Sequence, residues 1–184
     1  MNRKTLSSLL VICLLIVGAA PAVVAFELFD QSQNAAGFNE IRPANGMVVQ
    51  WRVEGERLRV ILDAPSTGWV GIGFHPESGM QGANFVLGYV RRGQTVVADH
   101  FGTRRDQHQD DVRLGGTNDV ELVSGSESGN RTVIEFTIPL DSGDRYDKVL
   151  VPGARTPILL CYGPQDNFTR VHAVEAEAMG DIIL

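Results

Sequence analysis

The chain has 184 residues, with 16 Lys and Arg against 22 Asp and Glu, and a net charge of −6 when its four His are neutral. An acidic chain of this kind is poorly suited to nucleic acid or anionic lipid. It contains two cysteines and no CxxC or CxxCH spacing, which excludes a CxxC zinc site and covalently attached haem.

The first twenty-five residues read as a secretory signal. Arg3 and Lys4 form a basic start, residues 9–17 are an unbroken apolar run, and small residues follow Pro21 up to Ala25. Cleavage after Ala25 leaves 159 residues, enough for one domain with a sizeable core, and removes Arg3 and Lys4, so that the charge becomes −8. Cys13 falls in the signal between Ile12 and Leu14, unlike a lipoprotein processing site, and Cys161 is then the single mature cysteine. The expectation is export, secreted or periplasmic, with a membrane attachment only if the signal is retained.

Residues 26–46 read as an N-terminal arm or edge strand, and 47–184 as the domain. Segments 48–53 and 58–62 flank the turn at Gly55, the pattern of a hairpin. Strands are expected at 69–74, 85–90 and 95–101, followed by a long polar loop over 102–118. Segments 120–123 and 132–138 form a second hairpin across "SGSESGN", and 157–162, 169–174 and 181–184 are the last strands. No useful window past the signal repeats apolar residues at helical spacing. Many short strands separated by Gly, Pro, Asn and Asp predict an all-β fold, an antiparallel sandwich of two sheets.

Such a scaffold fixes no function, which must come from particular residues. No HExxH or GxSxG is present, and no catalytic residue is expected. His172 shares a face of its predicted strand with Phe168, Arg170 and Val174, where a histidine commonly serves packing. His75 and His108 read as solvated loop residues, and His100 follows Asp99, where an Asp–His contact would be ordinary. Met80 is less usual. An isolated Met is most often a core filler, but this one sits in "GMQG", where Gly79 and Gly82 free the backbone and remove bulk. That setting suits a thioether reaching toward a flat partner.

The segments "GWVGIGF", "GMQGANFVLGYV", "RTVIEFTIPLDSGD", "TPILLCYGPQDNF" and "VHAVEA" together resemble the DOMON domain, over about 47–184. They are most similar to its haem b-binding branch, represented by the cytochrome domain of cellobiose dehydrogenase. The resemblance implies an immunoglobulin-like β-sandwich that holds haem b without covalent bonds, through Met80 and His172. The chain departs from the family pattern at Asn84, where Asp is usual, and at 173–175, where Arg-Gly often follows the histidine. Trp69, Phe74, Phe85 and Tyr162 are the expected pocket residues, between two apolar sheets, and His75 is the substitute ligand should Met80 not serve. The resulting expectation is a non-enzymatic carrier of single electrons that works with a separate redox protein or small donor or acceptor. The alternative is a secreted sandwich that binds carbohydrate or another ligand without haem, with an exposed Trp69 or Tyr89 stacking on it.

Overall fold

The computed structural model describes residues 26–169 and 176–184. The strands are β1 (Ser32–Gln33), β2 (Asn39–Ile41), β3 (Val48–Glu54), β4 (Arg57–Ala64), β5 (Val70–Phe74), β6 (Asn84–Arg91), β7 (Gln94–Arg104), β8 (Gln107–Asp110), β9 (Glu121–Ser128), β10 (Arg131–Pro139), β11 (Arg155–Tyr162) and β12 (Ala178–Ile183). One four-residue helix, α1 (Asp111–Leu114), follows β8. The strands form two six-stranded antiparallel sheets, ordered β1-β2-β3-β4-β10-β9 and β12-β11-β5-β6-β7-β8. The fold is the antiparallel β-sandwich that the sequence predicts.

Period-two alternation explains the first sheet. Leu58, Val60 and Leu62 of β4 and Ile134, Phe136 and Ile138 of β10 point into the space between the sheets, with Trp51 of β3. Its other face is wet and charged, carrying the Arg59–Glu135 and Arg131–Asp63 pairs at 2.6 Å. The second sheet is different. Every residue of β5 is buried, as are the first five of β6. Val70, Ile72 and Phe74 fill the intersheet core with Val86, Ile158 and Leu160. Leu87, Phe85, Leu159 and Cys161 point the other way and form a second apolar cluster with Trp69.

Residues 26–46 supply β1 and β2 at the edge of the first sheet and also reach the second. Phe29 N–H donates to the Asp181 carbonyl and Asp181 N–H to that of Glu27, both at 2.9 Å, so the arm runs beside β12. The Trp51 indole donates to the Ile183 carbonyl at 3.0 Å, a further tie between the sheets.

Three expectations are corrected. Segment 102–118 is not one loop: β7 runs on to Arg104, β8 returns along it, and α1 follows. β8 is an edge strand with exposed positions, so it needs no apolar alternation and its polar sequence hides it. β9 extends through Ser128 because it too is a solvated edge; the turn is confined to Gly129 and Asn130, with φ of 58° and 62°. The final strand begins at Ala178 rather than 181. Of the expected strand at 169–174, residues 170–174 lie outside the described residues, as does the expected signal at 1–25.

Phe136 is fully buried between the sheets, whereas Val123 on β9 is 44% exposed. Phe136→Ala should cost about 3–5 kcal/mol, and Val123→Ser less than about 0.5 kcal/mol. Thermal melts of the two variants beside the parent measure the difference. A melt unchanged by Phe136→Ala would contradict the intersheet core as described.

Candidate functional site: an aromatic cleft on the outer face of the second sheet

The outward cluster exists because two positions in β5 have no side chain. Gly71 and Gly73 alternate with the core residues of that strand, and a Cβ on either would collide with Leu87 or with the Phe85 ring. Those side chains therefore lie over the β5 backbone and make an apolar floor. Trp69 closes one end, and Gly163 permits this because a Cβ there would overlap the Trp69 indole.

The Met80 loop folds down beside this floor. Met80 N–H donates to the Arg105 carbonyl at 2.9 Å, and the Met80 carbonyl accepts from Ala83 N–H at 3.1 Å. Gly82 N–H donates to the Gly102 carbonyl, and Gly102 N–H to that of Ala83, both at 2.8 Å. Gly79 and Gly82 take φ of 59° and 76°, in the left-handed region. A Cβ on Gly102 would overlap the Met80 carbonyl, so the β7 backbone and the loop are in direct contact. Held this way, Met80 packs half-buried against the outer cluster.

Above the floor opens a cleft of about 770 Å³, within the range of small-molecule and cofactor sites. Its walls include Trp69, Met80, Tyr89, His100, His108 and Phe168. The Phe168 ring lies 4.9 Å from that of Tyr89 and 5.8 Å from that of His100. His100 on β7 and His108 on β8 present Nδ1 atoms 2.9 Å apart. At that distance one ring donates through Nδ1–H and the other accepts, so the donor's Nε2 carries a lone pair. Burial holds both imidazoles below the usual histidine range, His100 down to about 4, where the charge on its neighbour adds to the effect. Both are therefore neutral at physiological pH and able to act as ligands. Arg113 supplies a cation in the lining, beside Asp106, Asp110 and Asp166.

The residues singled out in the sequence are divided by strand parity. Met80, Trp69 and Phe85 meet on the outer face. Phe74 and Tyr162 face the other way, into the intersheet core, where the Tyr162 hydroxyl donates to the Asn45 carbonyl at 2.9 Å. The space between the sheets is filled with side chains, and the cleft lies outside it. Trp69 is only 4% exposed, so it walls the cleft without offering a free stacking face. His75 faces a separate depression with Glu77, Lys148 and Pro157, away from Met80. His172 lies outside the described residues. His108 is partly buried and paired rather than solvated, and Asp99 and His100, as adjacent strand residues, point to opposite faces. The imidazole pair is legible only once β7 and β8 are known to be neighbours.

The DOMON domain pattern matches residues 44–163. Among curated proteins, the chain is 28% identical over 118 residues to MOXD1 homolog 2 of Drosophila melanogaster, covering 64% of this chain and 15% of that protein. It is 34% identical over 102 residues to DBH-like monooxygenase protein 1 of Mus musculus, covering 55% of this chain and 16% of that protein. The chain thus spans about a sixth of the length of these relatives. The cytochrome domain of Myriococcum thermophilum cellobiose dehydrogenase superposes with a TM-score of 0.56 at 10% identity, over 83% of this chain and 86% of that one. The cytochrome b domain of pyranose dehydrogenase from Coprinopsis cinerea gives 0.57 at 12% identity, over 82% and 86%. At these identities the structural likeness speaks for the fold.

The imidazole pair makes a pH prediction. Depressed folded-state values mean that the neutral pair stabilises the fold above the ordinary histidine pKa of 6.5, and that this contribution is lost as pH falls from 6.5 toward about 4. NMR titration of the ring C–H signals should show His100 neutral at pH 6 and the His108 midpoint below 6.5. A midpoint for either ring at or above 6.5 would contradict the buried pair.

Proposed function

The chain belongs to the DOMON domain family, and we propose that it is an exported b-type cytochrome domain whose outer cleft holds haem b without covalent bonds. The observation that carries this reading is the convergence on one open cleft of a thioether, a neutral imidazole pair and a floor of aromatic and aliphatic side chains. These residues suit a flat, largely apolar macrocycle bearing a metal that accepts sulfur and imidazole ligands. The structural likeness to two cytochrome domains supports the same reading.

Met80 and His172 are the residues that would hold the iron. Phe168 packs in the cleft four residues before His172, and Ala176, 4% exposed, is anchored four residues after it, its carbonyl accepting from the Asn45 amide at 3.2 Å. The described residues on either side of that segment, Phe168 and Ala176, thus lie at the cleft wall and in the core. Haem b, when bound, supplies a one-electron couple. Held by two side chains of the protein, the group would pass single electrons rather than bind substrate. Phe85, Leu87 and Trp69 keep water from the buried side, which favours the less charged ferrous form. Arg113 is placed to meet a carboxylate at the mouth. The donor or acceptor is a separate redox protein, another domain or a small molecule, and a basic partner would be steered by the chain's acidity.

A secreted ligand-binding sandwich without haem is the second reading, favoured by Tyr89 and Phe168, whose paired rings stand at the cleft. Absorption spectra of the purified protein, with haem supplied, separate the two. The cytochrome reading expects a Soret band and sharp reduced α and β bands; a colourless protein would support the alternative.

Met80→His should keep the haem low-spin and lower its midpoint, because imidazole stabilises ferric iron more than a thioether does. His172→Ala should lose haem or leave it high-spin. Redox titration at the reduced α band reads both variants. An unchanged spectrum and midpoint in Met80→His would remove Met80 from the iron, and His100 or His108 would then be examined first.

A further inference from the structure

On the opposite side of the second sheet from the cleft, three aspartates converge at one end of the intersheet space, and a fourth, Asp111, is close enough to repel them. Asp99 on β7 is two positions along from Val97, which packs on the intersheet core, and is 3% exposed. Asp111, the first residue of α1, is fully buried. Asp119 precedes β9 and Asp147 lies in the connection from β10 to β11. A carboxylate oxygen from each of Asp99, Asp119 and Asp147 lies within 4.8 Å of the other two.

These groups are not balanced by the protein. Among the described residues, none of the four aspartates forms an ion pair. Asp99 Oδ2 accepts from Asp119 N–H at 3.1 Å, but its Oδ1 is buried without a hydrogen-bond partner. Both carboxylate oxygens of Asp111 are buried and unpartnered. Asn84 Nδ2 donates to Asp147 Oδ1 at 2.7 Å, and the Asn84 Oδ1 is likewise buried without a partner. Asp147 also accepts from the Ser142 hydroxyl. Burial, reinforced by neighbouring carboxylates, pushes Asp99 up to about 8, Asp111 to about 7 and Asp147 to about 6. Unpartnered buried carboxylates are costly whether charged or protonated, and a bound cation removes the cost by supplying the missing charge.

We propose that Asp99, Asp119 and Asp147, with the Asn84 side-chain carbonyl, form a calcium site. The donors are all oxygen, without histidine or thiolate, which selects a hard cation over zinc or copper. Two oxygens on one calcium ion, each 2.3–2.6 Å away, can be no more than roughly 5 Å apart, and the 4.8 Å limit on the three carboxylates meets that condition. Magnesium, at about 2.0–2.1 Å, requires a tighter and more regular cage than this set from four chain segments provides. The ion would fasten the segments carrying Asp119 and Asp147 to β6 and β7. His100 follows Asp99, so the same ion would brace one wall of the cleft from behind. This assignment is independent of what the cleft holds.

The test uses the whole chain, stripped with a chelator and titrated with calcium chloride or magnesium chloride by calorimetry, with thermal melts in chelator and in excess calcium. One calcium should bind per chain, raising the melting temperature, and magnesium should bind more weakly. Asp99→Asn and Asp119→Asn should each weaken calcium by roughly tenfold or more, as fewer ligand charges do at such sites. Each variant in chelator should melt no lower than the stripped parent, since a repelling charge is gone. Absence of calcium binding by the parent would overturn the proposal whatever the variants do. Binding that both substitutions leave undiminished would place the ion elsewhere, and magnesium bound as tightly as calcium would overturn the choice of ion.

Discussion

The second sheet must bury both of its faces, and the glycines of β5 make that possible. A strand packed on both sides normally reads as a continuous apolar run. Here Val70, Ile72 and Phe74 serve the intersheet core, while the intervening Gly71 and Gly73 leave room outside for Leu87 and Phe85 to lie across the strand. The outcome is a thin second apolar layer that no further sheet or helix covers among the described residues. Everything assigned to the cleft is mounted on it: Trp69 at its end, Met80 from the loop beside it, and Tyr89 and His100 from the same faces of β6 and β7.

One strand pair then serves two sites of opposite chemistry. Along β6 and β7, residues of one parity face the cleft and those of the other face the intersheet space. Phe85 and His100 lie on the cleft side, and Asn84 and Asp99 behind them. The outer face gathers soft and neutral donors, sulfur and imidazole, and the inner face at the same level gathers carboxylates. β7 contributes to both, so the order of that strand bears on each.

The polar residues show why a cluster was hard to foresee. Asp99, Asp119 and Asp147 are spread over nearly fifty positions, and none lies in a compact ligand-loop motif. His100 and His108 lie eight apart, at a spacing that signals nothing until Gly102 is seen paired with His108. The loop holding Met80 was legible because glycine in a short segment has a backbone meaning, and its contact with Gly102 supplies the physical reason: the two backbones approach too closely for a Cβ.

The sequence by itself determined the sheet class, the bounds of most central strands, the membership of the DOMON family and the singular character of Met80. Alternation and turn residues act over a few positions, so these features are written locally. Tertiary structure decided which side of the second sheet carries the cleft, because that depends on which parity of β5, β6 and β11 meets the first sheet. It thereby set Trp69 and Phe85 on the cleft side and Phe74 and Tyr162 in the core. It also decided the edge strands β8 and β9, whose polar sequences carry no burial pattern because edges face water. The pairing of His100 with His108 and the gathering of the aspartates were decided there too, since both join segments that only the folded chain makes neighbours.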